Sequence, residues 1–343
     1  MFRIRHPTSR HQLAHSTFFG DLPVHTCPPP TEELAQRIDA DFLIIGSFGH
    51  LLLVQREADD GSLVACLRPY FESAHLDARQ SFHADIGIDL HPDAEEDAEP
   101  VVTYPGCLPS TTKLGLFGEV LAGLVTQNYP LVGGHAWSIP IFLFRFHDDA
   151  RNYLFDLARN PERTRQAIGR LGSDFIGLLL AADGAVARFI VGEAKWRATL
   201  TAAVVDTLML GRWAPEVPGQ ARVRSGNGVW NNLNTDSPVP TGMRQLQRLL
   251  QENDPDGFDA AILSMEQALL VRGGIPLPRT DLVVIAGNGQ DGRTVNQRLL
   301  PHAGMPPEYT AGNDLQLVEV VFMEGQTLIS SLYDSLWSGE ENA

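Results

Sequence analysis

The sequence predicts an α/β (α+β) chain: a mixed β-sheet flanked by helices, with a small N-terminal α+β module ahead of it. Two observations carry that expectation. Short apolar runs bounded by turn residues alternate with longer stretches of helical period along the chain. Between two of those runs stands Asp183-Gly184, a strong signal for a tight antiparallel hairpin.

In chain order, TEELAQRI (31–38) begins with a threonine and early acids and predicts a short helix. DFLIIGSF, HLLLVQRE and LVACLRPYF, within 41–71, are expected to be strands, with ADDGS (58–62) as a turn between two of them. HPDAEEDAEP (91–100) is expected to be a solvated acidic linker. It sets a boundary between an N-terminal module (1–100) and the main domain (101–343). TKLGLFGEVLAGLVTQNY (112–129) has helical period, IPIFLFRF (139–146) reads as a buried strand, and 149–170 as one or two arginine-rich helices. The hairpin strands are DFIGLLLAA and AVARFIVGEAK. ATLTAAVVDTLML (198–210) predicts a helix, and 213–240, rich in Pro, Gly and Asn, a long loop. TGMRQLQRLLQ and FDAAILSMEQALL (258–270) are amphipathic helices. Strand DLVVIA, a Gly/Asn loop with a short helix, strand LQLVEVVF and a helix near 326–337 complete the chain.

With 343 residues, 43% hydrophobic and 20% charged, the chain can bury a substantial core. No run approaches the length of a membrane span. The first twenty residues hold three arginines and no acid but lack the apolar core of a secretory signal, so a loose arm is expected. Three cysteines far apart suit a reducing cytoplasm and give no zinc-knuckle spacing. The net charge of −16 excludes the usual free nucleic-acid binder, whose affinity comes from neutralising phosphates. From Arg151 to Arg212, however, nine Lys/Arg stand against six acids.

The hairpin defines the candidate site. A two-residue turn at Asp183-Gly184 sets Glu193 opposite Asp174, and Lys195 shares the face of Glu193 because strand side chains alternate. Two facing carboxylates repel unless something neutralises them. A divalent cation does so, since Mg²⁺ takes one or two carboxylates plus water and substrate phosphate. Such a metal acidifies water and stabilises charge on a phosphoryl centre, while a lysine orients the water or neutralises the phosphate. The plainer alternatives are an exposed Glu193–Lys195 ion pair, a capping turn at Gly172-Ser173-Asp174 and a solvated Glu119.

Asp174, an 18-residue gap and then Glu193-Ala194-Lys195 resemble the PD-(D/E)xK nuclease superfamily, with Ser173 in place of the signature proline. The order of an FGE-containing helix, an Asp strand and a GEAK strand is most similar to the HamA-like nucleases of Hachiman antiphage defence systems, over about residues 112–270. The resemblance implies a restriction-endonuclease-like sheet, Mg²⁺ (or Mn²⁺) on Asp174, Glu193 and the Ala194 carbonyl, catalysis by Lys195, and Glu119 as an added acid. It also implies DNA as substrate and a helicase or ATPase as partner.

Other residues admit both a binding and a structural reading. Lys113, Arg165 and Arg197 could meet a nucleic-acid backbone, as could Gln247 and Gln251, one turn apart. His135 lies in a glycine-rich segment. Gly287, Gly289 and Gly292 spell G-x-G-x-x-G after a strand, with Glu324 ending the next one, as in a dinucleotide site. The helix such a site needs is broken by Pro301, Pro306 and Pro307. A non-enzymatic adaptor that keeps the nuclease fold is the remaining alternative.

Overall fold

The computed structural model describes residues 24–59, 61–89, 104–142, 144, 175–215, 221–236, 239–240, 242–270, 277–289 and 297–338. Its strands are β1 (Ile38–Ile45), β2 (Phe48–Gln55), β3 (Phe175–Leu180), β4 (Val186–Arg197), β5 (Arg279–Asn288) and β6 (Asp314–Phe322). Eight described helices flank them: α1 (Thr31–Arg37), α2 (Ser62–Asp89), α3 (Ser110–Asn128), α4 (Ala202–Leu210), α5 (Val229–Thr235), α6 (Met243–Asn253), α7 (Asp259–Leu270) and α8 (Gly325–Ser335). The strands form one mixed sheet in the order β1-β2-β6-β5-β4-β3, the α/β class read from the sequence. β2, β6, β5 and β4 run parallel, and an antiparallel strand closes each edge. Strands from the two ends of the chain therefore meet at the β2–β6 pair.

Burial separates the two faces of the sheet. One face carries Leu51, Leu53, Leu282, Val284, Val318 and Val320 and packs under α2, α3 and α8. The other divides into two apolar clusters. One lies under α4 and α5 against β2, β5 and β6; the second lies under α6 and α7 against β3 and the start of β4. Central strands buried on both faces are what a parallel core requires.

Several expectations need correction. LVACLRPYF is helical: α2 buries Leu63, Leu67, Tyr70, Phe71 and Ala74, a spacing that only a helix puts on one face. The Asp59 carboxylate accepts from Leu63 N at 2.8 Å, so the expected turn serves as this helix's cap. In IPIFLFRF, Ile139, Ile141 and Phe142 are buried, but the described residues join no strand; the segment meets the sheet through a bridge from Ser138 to Leu178. The long loop at 213–240 contains α5; the short helix expected after DLVVIA falls partly on 290–296, outside the described residues, and the described part, 297–313, holds none. Residues 1–23, the acidic linker and the arginine-rich 149–170 segment lie outside the described residues.

The hairpin keeps its expected register by a different route. Gly184 N donates to Ala181 O at 2.9 Å and Ala181 N to Ala185 O at 2.8 Å, with Gly184 at φ +83°. This is a three-residue loop ending in left-handed glycine rather than a two-residue turn. Carried straight through, it would pair Phe175 with Val191. A bulge between Leu179 and Leu180 shifts the ladder by one, and Phe175 faces Gly192 as the two-residue turn predicts.

Candidate active site

Glu193 and Lys195 owe their positions to the residue that precedes them. A Cβ on Gly192 would lie 1.7 Å from Phe175 Cε1, so the glycine leaves room for the ring of its ladder partner on the helix α3 side. Alternation then sends Glu193, Lys195 and Arg197 to the other face, in line with buried Phe189 and Val191. Ala194 and Trp196 point back toward α3 and the aromatic rings of Phe117 and Phe322.

Past Val191 the apolar cover of α6 and α7 gives out, and a cleft of about 780 Å³ opens toward α4 and α5. Glu193, Lys195, Arg197, Arg212 and Asn232 are among its lining residues. Lys195 Nζ lies 2.8 Å from Glu193 Oε1, and Asn232 Nδ2 donates to the same oxygen at 3.3 Å. Glu193 is buried while the lysine is half-buried, so the pair lies at the boundary between core and solvent. A carboxylate removed from bulk water keeps its charge at lower cost when a cation and a hydrogen-bond donor reach it.

Asn232 escaped the sequence reading because its helix stands in a segment rich in Gly and Asn. The signal was there: Val229, Trp230 and Leu233 of VWNNLNT are buried with helical spacing. Gly228 precedes them because a Cβ would lie 2.3 Å from Met209 O. Thr201 Oγ1 accepts from Val204 N at 3.2 Å and starts α4, which forms another wall.

The sequence-derived candidates distribute as follows. Glu193, Lys195 and Arg197 come together at the cleft. Asp174 and Arg165 lie outside the described residues. Glu119 is buried on α3, the helix that packs on the Ala194 side of β4: a Cβ on its neighbour Gly118 would touch Ala194 Cβ at 3.4 Å. Its charge acts on Tyr104 and Tyr333, two phenols raised well above their usual range first by burial. Lys113 lies in that same layer, 3.7 Å from Asp334 and over the Tyr333 ring. Gln247 reaches Ile262 O on α7, while Gln251 and His135 are exposed.

The G-x-G-x-x-G run has a packing explanation for its first glycine. A Cβ on Gly287 would lie 2.1 Å from Arg197 O, so the glycine allows β5 to approach the end of β4. Gly289 N donates to Phe322 O, and Gly292 lies outside the described residues.

Among the described residues, no group of three or more His, Cys, Asp or Glu is arranged to hold a metal. The one described acid that lines the cleft is Glu193, buried and paired with Lys195, beside space for water and a ligand. No described helix is long and apolar enough to cross a membrane. Compared with protein-family models and with curated proteins, the chain matches none.

Proposed function

We propose that this chain is a metal-dependent nuclease of the PD-(D/E)xK type, hydrolysing phosphodiesters in DNA as the effector of a prokaryotic antiphage defence system. The observation that carries the reading is the 2.8 Å approach of Lys195 Nζ to Glu193 Oε1 at the mouth of a large cleft. A mixed sheet with flanking helices is the setting in which the resemblance expects that pair.

The proposal takes the β3–β4 register one pair beyond Phe175 and Gly192, so that Asp174 joins Glu193. Those carboxylates and the Ala194 carbonyl would hold Mg²⁺ (or Mn²⁺). When bound, such a cation acidifies a water and stabilises charge on the phosphoryl oxygens. Lys195 then orients the attacking water or neutralises the phosphate, and Asn232 keeps the Glu193 carboxylate directed into the cleft. The resemblance adds Glu119 as a further acid, although α3 packs it on the Ala194 side of β4, away from the face that carries Glu193 and Lys195. The acidic net charge calls for a partner that delivers DNA, and the resemblance points to a helicase or ATPase.

The test incubates wild type and Lys195→Ala with plasmid and Mg²⁺, with and without the protein encoded by the neighbouring gene. Cleavage by wild type alone supports the proposal. Equal cleavage by both proteins, or none under any condition, overturns it.

A further inference from the structure

Beside the Glu193–Lys195 pair the chain builds a short ribbon. Ser225 N donates to Arg212 O at 2.8 Å and Ala214 N to Val223 O at 2.9 Å, with Trp213 bridged to Arg224. Arg224 is fixed: its guanidinium donates to Gly211 O at 3.0 Å, pairs with Asp206 and lies 3.9 Å from the centroid of the Trp213 ring. Arg222 approaches the same ring at 5.2 Å. Despite these neighbours Trp213 is 47% exposed. What sets Trp213 apart from the other exposed apolar residues is that two guanidinium groups flank its ring, next to a cleft wall with two further arginines.

The cleft wall next to the ribbon carries Arg197 and Arg212. Arg197 donates to Trp196 O at 2.7 Å, and among the described residues neither arginine is ion-paired. The one described acid lining the cleft, Glu193, is paired with Lys195, and Asp206 on α4 is paired with Arg224. Arg197 and Arg212 are solvent-exposed cations on one cleft wall and repel one another; partial desolvation first and then the charge of Arg212 draw the Arg197 guanidinium below its usual range. An anion between them would relieve that repulsion, and phosphate matches the planar donor fork of arginine.

We propose that this wall and ribbon bind a single-stranded stretch of nucleic acid, with Arg197 and Arg212 on a phosphate and Trp213 stacking a base. The proposal rests on the nuclease reading and adds the form of substrate that reaches the cleft. Duplex bases are already stacked on one another, so an exposed indole gains a partner only from an unpaired base. Lys195 and Arg197 alternate onto one face of β4 about 6.6 Å apart, so a strand held by the arginines continues toward the Glu193–Lys195 pair. A helicase partner would supply such unpaired strands.

The test measures binding by the full-length protein in EDTA, using fluorescently labelled 20-nucleotide single strands of DNA and of RNA and the matching DNA duplex. Wild type is expected to bind single strands at least about 5-fold tighter than duplex. Arg197→Ala with Arg212→Ala should flatten the slope of log affinity against log salt by about 0.7, the loss of one neutralised phosphate on a single strand. Trp213→Ala should weaken single-strand binding by about 5- to 100-fold and leave duplex binding unchanged, with Trp213→Phe restoring most of it. Equal affinity for duplex and single strand, no wild-type binding at low salt, or variants that bind like wild type would each overturn the proposal. The DNA and RNA arms assign the sugar. Plasmid cleavage separates the two readings. If cleavage needs Lys195 while the arginine and tryptophan variants bind normally, this proposal alone fails; if the variants lose binding and no protein cleaves, the nuclease reading alone fails.

Discussion

Phe175 and Gly192 face each other across the β3–β4 ladder, and the ring of the first fills the space where the second would carry a Cβ. The contact fixes the last described pair before Glu193, and it ties the position of the acid to the packing of the core. Gly192→Ala is therefore expected to cost about 1–3 kcal/mol through overpacking. Phe175→Leu should recover part of that loss, since a smaller side chain admits the methyl. Urea denaturation of the two single variants and the double variant checks this, because contacting residues give a non-zero coupling energy.

Lys195→Ala should separate function from stability. The Glu193–Lys195 pair is partly exposed, and pairs of that kind contribute about 0–1 kcal/mol. The expected outcome is a melting temperature within a few degrees of wild type, together with lost cleavage. A large fall in melting temperature would mark the lysine as structural.

A second charged group on the same sheet face behaves in the opposite way. Arg279 Nε lies 2.6 Å from Asp281 Oδ1, and its other end reaches Asp236 at 2.6 Å. Asp281 is fully buried and also accepts from Tyr309 at 2.5 Å and Asn313 at 3.1 Å. Arg279, Tyr309 and Asn313 thus all donate to carboxylates inside the protein. Arg279→Ala leaves a buried carboxylate without its cation and should cost about 3–5 kcal/mol. Tyr309→Phe should cost about 1–3 kcal/mol, the penalty for removing one donor to a charged group. Chemical denaturation measures both, and a neutral Arg279→Ala would contradict the assignment.

The helix face of the sheet contains a proton-linked cluster. His75 is fully buried between Tyr104 Oη at 2.6 Å and Tyr333 Oη at 3.2 Å, and burial draws its pKa down to about 3. His25 is lowered to about 4, mainly by burial. A histidine that charges more readily when unfolded stabilises the fold above the unfolded value of about 6.5. That stability is lost as pH falls from there toward 3. Denaturation midpoints should decline through this window, and His75→Phe should flatten the decline even though it lowers stability at neutral pH. An unchanged slope would show that His75 does not drive it.

The parts of the fold legible in the sequence were those with one strong local signal. Helix α3, the two C-terminal strands and the GEAK strand each had a period or turn residue that left little choice. LVACLRPYF misled because a nine-residue apolar run fits a buried strand and a buried helix equally, and only the spacing from Leu63 to Ala74 separates them. The hairpin shows two local errors cancelling: the loop is one residue longer than a two-residue turn, and the bulge at Leu179/Leu180 absorbs the difference. Asn232 went unassigned because it reaches the cleft from a segment whose glycines and asparagines suggested only a connection, and Arg212 because it stands just past the end of a helix with no motif around it. The layer of Glu119 was not readable either, since a helix's period gives its buried stripe but not which sheet face it covers.

The central claim is that Glu193 helps hold a divalent cation, and Mn²⁺ titration followed by electron paramagnetic resonance tests it most directly. Wild type should bind Mn²⁺ in competition with Mg²⁺, and Glu193→Gln and Asp174→Asn should each weaken that binding by at least about 10-fold, since removing a ligand costs no less than removing its supporting partner. Wild type that binds no Mn²⁺, or a Glu193→Gln variant that binds it as tightly as wild type, would contradict the account.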